Sequence, residues 1–321
     1  MNLPWLEEPQ RRLEQTLQAN RLGHAPLICG PAGLGKLELA RWLLARILCL
    51  SPAGEAPCGQ CRSCELLASG SHPDSFRLAI PEDKKEIPVD DVRGMIASLQ
   101  LTPRVGPNRV GLIEPAEAMN RNAANALLKT LEEPAEKAWL ILVSHQPGRL
   151  PATIRSRCQK IVIRPPHADQ ASAWLVDRHP SIEGADLDRV LTLAAGAPLA
   201  ASALLAGDGL DHGRQILEGL LAVAAGGSAS AVADDSWHAS PELTWHWLSV
   251  WMAAIMRHAQ GLPDSALPAT FKLPAELEPQ SLARLWEQSL AGRRMSTMAV
   301  RHDLLIGKWL LEWARCFSPG T

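Results

Sequence analysis

Apolar positions in the first half of the chain switch repeatedly between helical and strand spacing. Leu13, Leu17 and Leu22, set among Arg, Glu and Gln, predict an amphipathic helix that leads into a short apolar strand, Pro26-Leu27-Ile28-Cys29. Leu39, Ala40, Leu43, Leu44, Ile47 and Leu48 recur at helical spacing and predict a buried helix ending near Cys49. Ser75 to Ile80 alternates as a strand does, and Val92, Met95, Ile96 and Leu99 form the apolar stripe of a helix beginning near Pro88. Val110 to Ile113 and Trp139 to Ser144 are short, wholly apolar runs of the kind buried in parallel sheets, and Ile161 to Ile163 is a third. Between them, Ala123 to Glu133 is helical by its Ala and Leu content, with Asn122 as N-cap and Pro134 as stop. The alternation of strands with helices predicts an α/β fold with a parallel sheet.

Pro165-Pro166 ends this rhythm. Beyond it every apolar pattern is helical: a small set of helices from Ala168 to Leu205, a Gly- and Ala-rich stretch near 225–231, then helices carrying Leu243, Trp247, Leu248 and Trp251, and Leu304, Leu305 and Trp309. Those crowded faces suit core packing and helix packing between subunits equally well. A chain of 321 residues exceeds one typical core, and the breaks predict three parts: 1–166, 167–207 and 208–321.

The first strand runs into Gly30-Pro31-Ala32-Gly33-Leu34-Gly35-Lys36-Leu37, at the start of a helix. Gly30, Gly33 and Gly35 let backbone N–H groups turn inward around an anion, and Lys36 adds a charge for the outer phosphates. The full pattern continues with Ser or Thr to hold Mg²⁺, and here Leu37 offers no ligand atom. The plain alternative is a glycine-rich turn that binds nothing. Glu114, after the Val110–Ile113 strand, occupies the position of a metal-binding acid or merely ends the strand. Pro115 stands where a water-activating glutamate would be. Ser144 or His145 could sense a phosphate or simply close the next strand.

Cys49, Cys58, Cys61 and Cys64, the last three as Cys-x2-Cys-x2-Cys among Pro, Gly and polar residues, predict a closed four-thiolate site for structural Zn²⁺. Cys29, Cys158 and Cys316 read as ordinary small residues. Arg155 and Arg157 precede the last strand, where a guanidinium either reaches outward to phosphate or forms a surface salt bridge. The formal charge of −2 excludes binding of nucleic acid by bulk electrostatics alone, though not a local basic patch. No apolar leader opens the sequence and no apolar stretch reaches transmembrane length, so the cytoplasm is the expected compartment. The skew to 11 Trp, with 3 Phe and no Tyr, suggests no function.

The loop Gly30 to Lys36, the four cysteines, the run Ala123-Ala124-Asn125-Ala126-Leu127-Leu128-Lys129-Thr130-Leu131-Glu132-Glu133-Pro134 and Ser156-Arg157-Cys158 together resemble the delta-prime subunits of the bacterial DNA polymerase III clamp loader, a branch of the AAA+ proteins. The resemblance covers most of the chain. It implies a AAA+ P-loop module over 1–166 with a zinc insertion at 49–64, a helical lid over 167–207 and an all-α collar over 208–321. It implies a five-subunit ring with the gamma/tau motor subunits and the delta subunit, which opens a sliding clamp and places it on primed DNA, with no membrane involved. In that family the Ser-Arg-Cys arginine reaches ATP on the adjacent motor, so the resemblance gives Arg157 a role in trans. The chain is then no enzyme by itself but part of a DNA-synthesising, nucleotidyl-transferring holoenzyme. Its loop can hold ATP, and hydrolysis is not expected. The motor subunits share the cysteines, the Ala-Asn-Ala-Leu-Leu-Lys helix and Ser-Arg-Cys, whereas Leu37 and Pro115 separate this chain from them. An active AAA+ motor subunit is the alternative, and a zinc-containing nucleic-acid-binding module is the third.

Overall fold

The short apolar runs become the strands of one parallel sheet in the computed structural model, which describes residues 3–52, 54, 56–182, 184–232, 235–262, 266–267, 271, 277–296 and 300–317. Two compact units emerge, 1–170 and 171–321. In the first, elements follow in the order α1 (Glu7–Gln18), β1 (Pro26–Cys29), α2 (Lys36–Leu48), α3 (Arg62–Ala68), β2 (Ser75–Leu78), α4 (Val89–Leu99), β3 (Arg109–Ile113), α5 (Arg121–Glu132), β4 (Ala138–Ser144), α6 (Ala152–Arg155) and β5 (Gln159–Val162).

The strand order is β2-β3-β4-β1-β5, all parallel. The first strand in the chain therefore sits inside the sheet, with Ile28 opposite Val143 on one side and Ile161 on the other. Helices cover both faces of such a sheet, which is why β1 and β3 are buried at every position while the edge strands β2 and β5 are not. Leu27, Ile113, Leu140 and Leu142 share a core with Val92, Met95 and Leu99 of α4 and Ala123, Leu127 and Leu131 of α5.

Three expectations shift. Helix α5 begins two residues early, because the Asn120 side chain accepts the Ala123 amide at 2.8 Å, so Asn120 rather than Asn122 is the N-cap. Strand β2 stops at Leu78, and β5 runs over Gln159–Val162, paired with β1 through Gln159 and Lys160 although neither residue is apolar. Leu304 is exposed rather than part of a buried face.

The second unit is helical: α7 (Ala168–Arg178), which starts just before the division, then α8 (Gly184–Leu193), α9 (Pro198–Ala206), α10 (Gly209–Ala224), α11 (Ala229–Val232), α12 (Asp235–Ala239), α13 (Pro241–Ala259), α14 (Pro279–Met295) and α15 (His302–Arg315). Trp247, Trp251, Trp309 and Trp313 lie fully inside its core. Three of their indole N–H groups donate to backbone carbonyls of neighbouring helices: Trp251 to Gly213 at 2.8 Å, Trp309 to Leu285 at 3.0 Å and Trp313 to Leu220 at 2.8 Å. Each such side chain supplies a large apolar surface and a polar anchor, which gives the tryptophan-rich composition a structural use. On α13 the predicted apolar face is core; on α15, Trp309 is core, while Leu304 and Leu311 face outward. Among the described residues no single helix is long and apolar enough to cross a membrane.

Candidate functional site

The carboxyl ends of β1, β3 and β4 lie side by side, and the strand order reverses at β1, which sits between the later strands β4 and β5, the kind of position at which open α/β sheets hold ligands. The loop after β1 is fastened at its base. Gly30 N–H donates to the Ser144 carbonyl at 3.3 Å, and with φ of 150° a side chain there would bring its Cβ within 2.2 Å of the Ile163 carbonyl oxygen. Gly33 and Gly35 both have φ of 76°, and Gly35 is the N-cap of α2. From below, the Trp5 indole donates to the Leu34 carbonyl at 3.0 Å. The amides of Gly33, Leu34 and Gly35 donate to no group of the chain among the described residues. Free amides at a helix N-terminus suit an anion, so the residues present fit the phosphates of a nucleotide.

Lys36 departs from its expected place. Instead of standing out toward a phosphate, it is buried and its Nζ donates to the Pro31 carbonyl within the same loop. Burial brings its pKa down to about 8, against the opposing pull of the Glu117 and Glu114 carboxylates.

Glu114 ends β3, and its Oε1 lies 3.4 Å from His145 Nε2 at the end of β4. That hydrogen bond, with Arg41 and Arg77 farther out, holds the Glu114 carboxyl below the usual carboxylate range. Pro115, next in the chain, carries no base. Glu117 is a second acid of this turn, and its charge is felt at Lys36. It sits on the 3₁₀ turn Ala116–Ala118, and its Oε1 accepts the amides of His145 at 2.8 Å and Gln146 at 3.0 Å. Its Oε2 is buried without a partner, as is the Ser144 hydroxyl. Only the Glu-Pro-Ala-Glu spacing hinted at it.

At the other end of α2, Cys49, Cys58, Cys61 and Cys64 bring their sulfurs within 4.8 Å of one another. Cys49 Sγ lies 3.6 Å from Cys58 Sγ and 3.9 Å from Cys61 Sγ, and Cys58 Sγ lies 4.0 Å from Cys64 Sγ. A tetrahedral ion with metal–sulfur bonds of about 2.3 Å needs sulfur–sulfur edges of about 3.8 Å, so these residues fit one. The amides of Cys58 and Cys61 each donate to the preceding cysteine's sulfur at 3.3 Å, which favours thiolates. Burial opposes charge on Cys61, yet the amides of Cys64 and Leu50 and the neighbouring thiols bring it down to about 6, while burial and then Cys61 push Cys64 up to about 12. Four thiols this close can hold four negative charges only around a cation.

Ser63, between two of these cysteines, ties the module to the sheet. Its hydroxyl donates to the Leu48 carbonyl at 2.7 Å and meets His72 Nε2 at 2.9 Å, and His72 Nδ1 accepts the Asp74 amide at 3.1 Å. Burial lowers the His72 pKa despite Asp74, in keeping with a neutral ring that accepts at Nδ1 and donates at Nε2. The fully buried Asp74 carboxylate takes the amides of Arg104 and Val105 and pairs with Arg109 Nε at 3.2 Å.

Arg157 lies at the surface just beyond α6. Its Nε and Nη2 both reach Glu132 Oε1, at 2.8 and 2.5 Å, and its Nη1 donates to the Thr153 carbonyl at 3.1 Å. Both side chains of this pair are exposed. Arg155, by contrast, has a buried Nε with no partner. Cys29 and Cys158 are buried free thiols and Cys316 a half-buried one.

The described family model for the DNA polymerase III delta subunit matches residues 5–167. The DNA polymerase III subunit delta' of Pseudomonas aeruginosa is 36% identical over 307 residues, 92% of this chain and 93% of that protein. The same subunit of Escherichia coli is 33% identical over 99% of this chain and 97% of its own length. The tau/gamma subunit of Haemophilus influenzae is 35% identical over 163 residues, 51% of this chain and 23% of that protein. With its loop, its cysteine cluster and its sheet on one side and these full-length matches on the other, the chain belongs to the family of DNA polymerase III delta' subunits.

Proposed function

We propose that this chain is a clamp-loader subunit that helps place a sliding clamp on primed DNA, holds ATP without hydrolysing it, and supplies Arg157 to ATP bound by the neighbouring motor subunit. The matches to delta' subunits and to a tau/gamma subunit support a place beside gamma/tau motors and a delta subunit in a five-subunit ring in the cytoplasm. In this reading residues 167–207 are the lid, 208–321 the collar, and Zn²⁺ is the structural ion of the four cysteines.

The observation that carries the reading is the state of Arg157. An exposed ion pair such as Arg157–Glu132 contributes only about 0–1 kcal/mol, so exchanging the carboxylate for a phosphate costs little, and the forked guanidinium suits phosphate oxygens. An arginine supplied in trans typically raises phosphoryl transfer by about 10³–10⁵. The chain's own loop meanwhile lacks a hydroxyl at Leu37 and a base at Pro115, and Lys36 is turned inward. In the loader reconstituted with motor and delta subunits, Arg157→Ala is expected to lower steady-state ATP turnover by about 10³-fold or more while the chain keeps its melting temperature. Unchanged turnover overturns the role.

One observation favours the active-motor reading: Glu117 Oε2 is buried without a partner among the described residues and its carboxylate acts on the Lys36 charge, as a group that takes a proton from water would need to. Magnesium-dependent turnover by the chain alone, lost in both Lys36→Ala and Glu117→Gln, would establish that reading; no turnover by a folded chain removes it.

A further inference from the structure

The helical unit encloses a cavity of about 420 Å³ lined by residues of α8, α9, α10 and α13 and the turn after α7. That size lies within the roughly 300–1,000 Å³ of small-molecule sites. Two of its walls hold polar groups that the chain leaves unanswered. Trp247 is fully buried and its indole N–H has no partner, unlike the three other core tryptophans described above. The reason is local: Gly213 lets α10 lie flat on the Trp247 ring, where a Cβ would come within 2.5 Å, and the Gly213 carbonyl is taken by Trp251. Arg189 likewise has a buried Nε with no partner.

Both orphaned groups are donors, so what completes them must accept hydrogen bonds. Buried donors without acceptors cost about 1–3 kcal/mol each, more where the group is charged. A second guanidinium, Arg214, also lines the cavity, and its ion pair among the described residues, with Asp211 at 3.1 Å, is exposed on both sides. Asp186 is the one carboxylate in the lining. Trp247 and Trp251, almost wholly buried, stack on each other at 5.3 Å with their planes 21° apart and close the floor of the cavity. His179 faces the cavity too, but its Nε2 is already engaged with the Ser202 hydroxyl at 2.8 Å.

We propose that this cavity binds a small organic phosphate of mononucleotide size, its phosphate on Arg189 and Arg214, above the floor that Trp247 and Trp251 close. Two guanidiniums answer the double charge of a phosphate monoester better than the single charge of a carboxylate. The site lies wholly within 171–321 and is independent of the phosphate loop and of the clamp-loader reading.

The test is a titration of the ¹⁵N-labelled full chain, carrying Lys36→Ala to silence the loop, with AMP, adenosine and inorganic phosphate in turn. The indole N–H signals of the tryptophans are the readout, with that of Trp247 identified by its loss in Trp247→Phe. AMP is expected to shift the Trp247 signal saturably, adenosine to leave it in place, and Arg189→Met to weaken the AMP response at least about tenfold, the scale of one lost charged hydrogen bond. Arg214→Met, at an exposed position, is expected to weaken it too and serves if Arg189→Met does not fold. Should Trp247→Phe not fold, the indole signals as a set replace the single one. No indole signal moving at millimolar AMP, equal shifts with adenosine, or an undiminished response in the arginine variants overturns the site.

Discussion

Helix α2 carries a candidate site at each end, and the two ends have opposite needs. At its N-terminus the loop's anchors are satisfied, Lys36 by the Pro31 carbonyl, Gly30 by the Ser144 carbonyl and Leu34 by Trp5, and what stays open is three neutral backbone amides that water can serve. A nucleotide there would take the place of water on those amides. At its C-terminus Cys49, Cys58, Cys61 and Cys64 crowd four sulfurs together, and among the described residues it is backbone amides that face them. The glycine loop can exist empty; the cysteine cluster, once its thiols are ionised, would need a cation. A ligand's place in a protein is thus read from what its residues leave unpaid.

The largest expected effect follows from the cysteine end. One metal ion per chain is expected by elemental analysis, and chelation or Cys61→Ser should remove it with local unfolding of residues 49–68, since structural zinc sites contribute about 10–16 kcal/mol of binding free energy in small domains. A metal-free protein with an unchanged melt would break the contrast. Next is the loop's base, where Gly30→Ala must displace the Ile163 backbone or strain its own; a loss of about 2–4 kcal/mol by chemical denaturation is expected, with little change in metal content. Smallest and most diagnostic is the pH dependence of Lys36. Its folded pKa of about 8 lies below that of the unfolded chain, so between pH 8 and about 10.5 the unfolded state binds more protons and stability rises with pH. The difference in unfolding free energy between the parent and Lys36→Met should therefore move in the parent's favour by up to about 3 kcal/mol over that window. A flat difference would mean that the lysine stands in water, as a phosphate-seeking side chain does.

What the sequence made legible was local. Apolar runs announced β1, β3 and β4, because strands inside a parallel sheet are apolar on both faces, and the Cys-x2-Cys-x2-Cys spacing announced a cluster that the fold does assemble. Pairings between distant segments were not legible. Asp74 and Arg109 are buried together although each reads as a surface charge, and Glu117 was hidden behind Pro115 because its carboxylate is held by amides from the next strand. Lys36 was misplaced for a related reason: the motif describes the lysine of a loaded loop, whereas the side chain here answers the nearest carbonyl. Asn122 lost the cap to Asn120 by two residues, a boundary that composition alone does not resolve.

The relay from Ser63 through His72 and Asp74 to the amides of Arg104 and Val105 has a consequence for measurement at a distance. Those two amides touch no sulfur, yet the carboxylate that shields them is oriented through a histidine and a serine seated between cysteines placed to hold a metal. Their hydrogen exchange with solvent would therefore serve as a clock for metal occupancy: slow while an ion holds Cys61 and Cys64 around Ser63, and faster once it leaves.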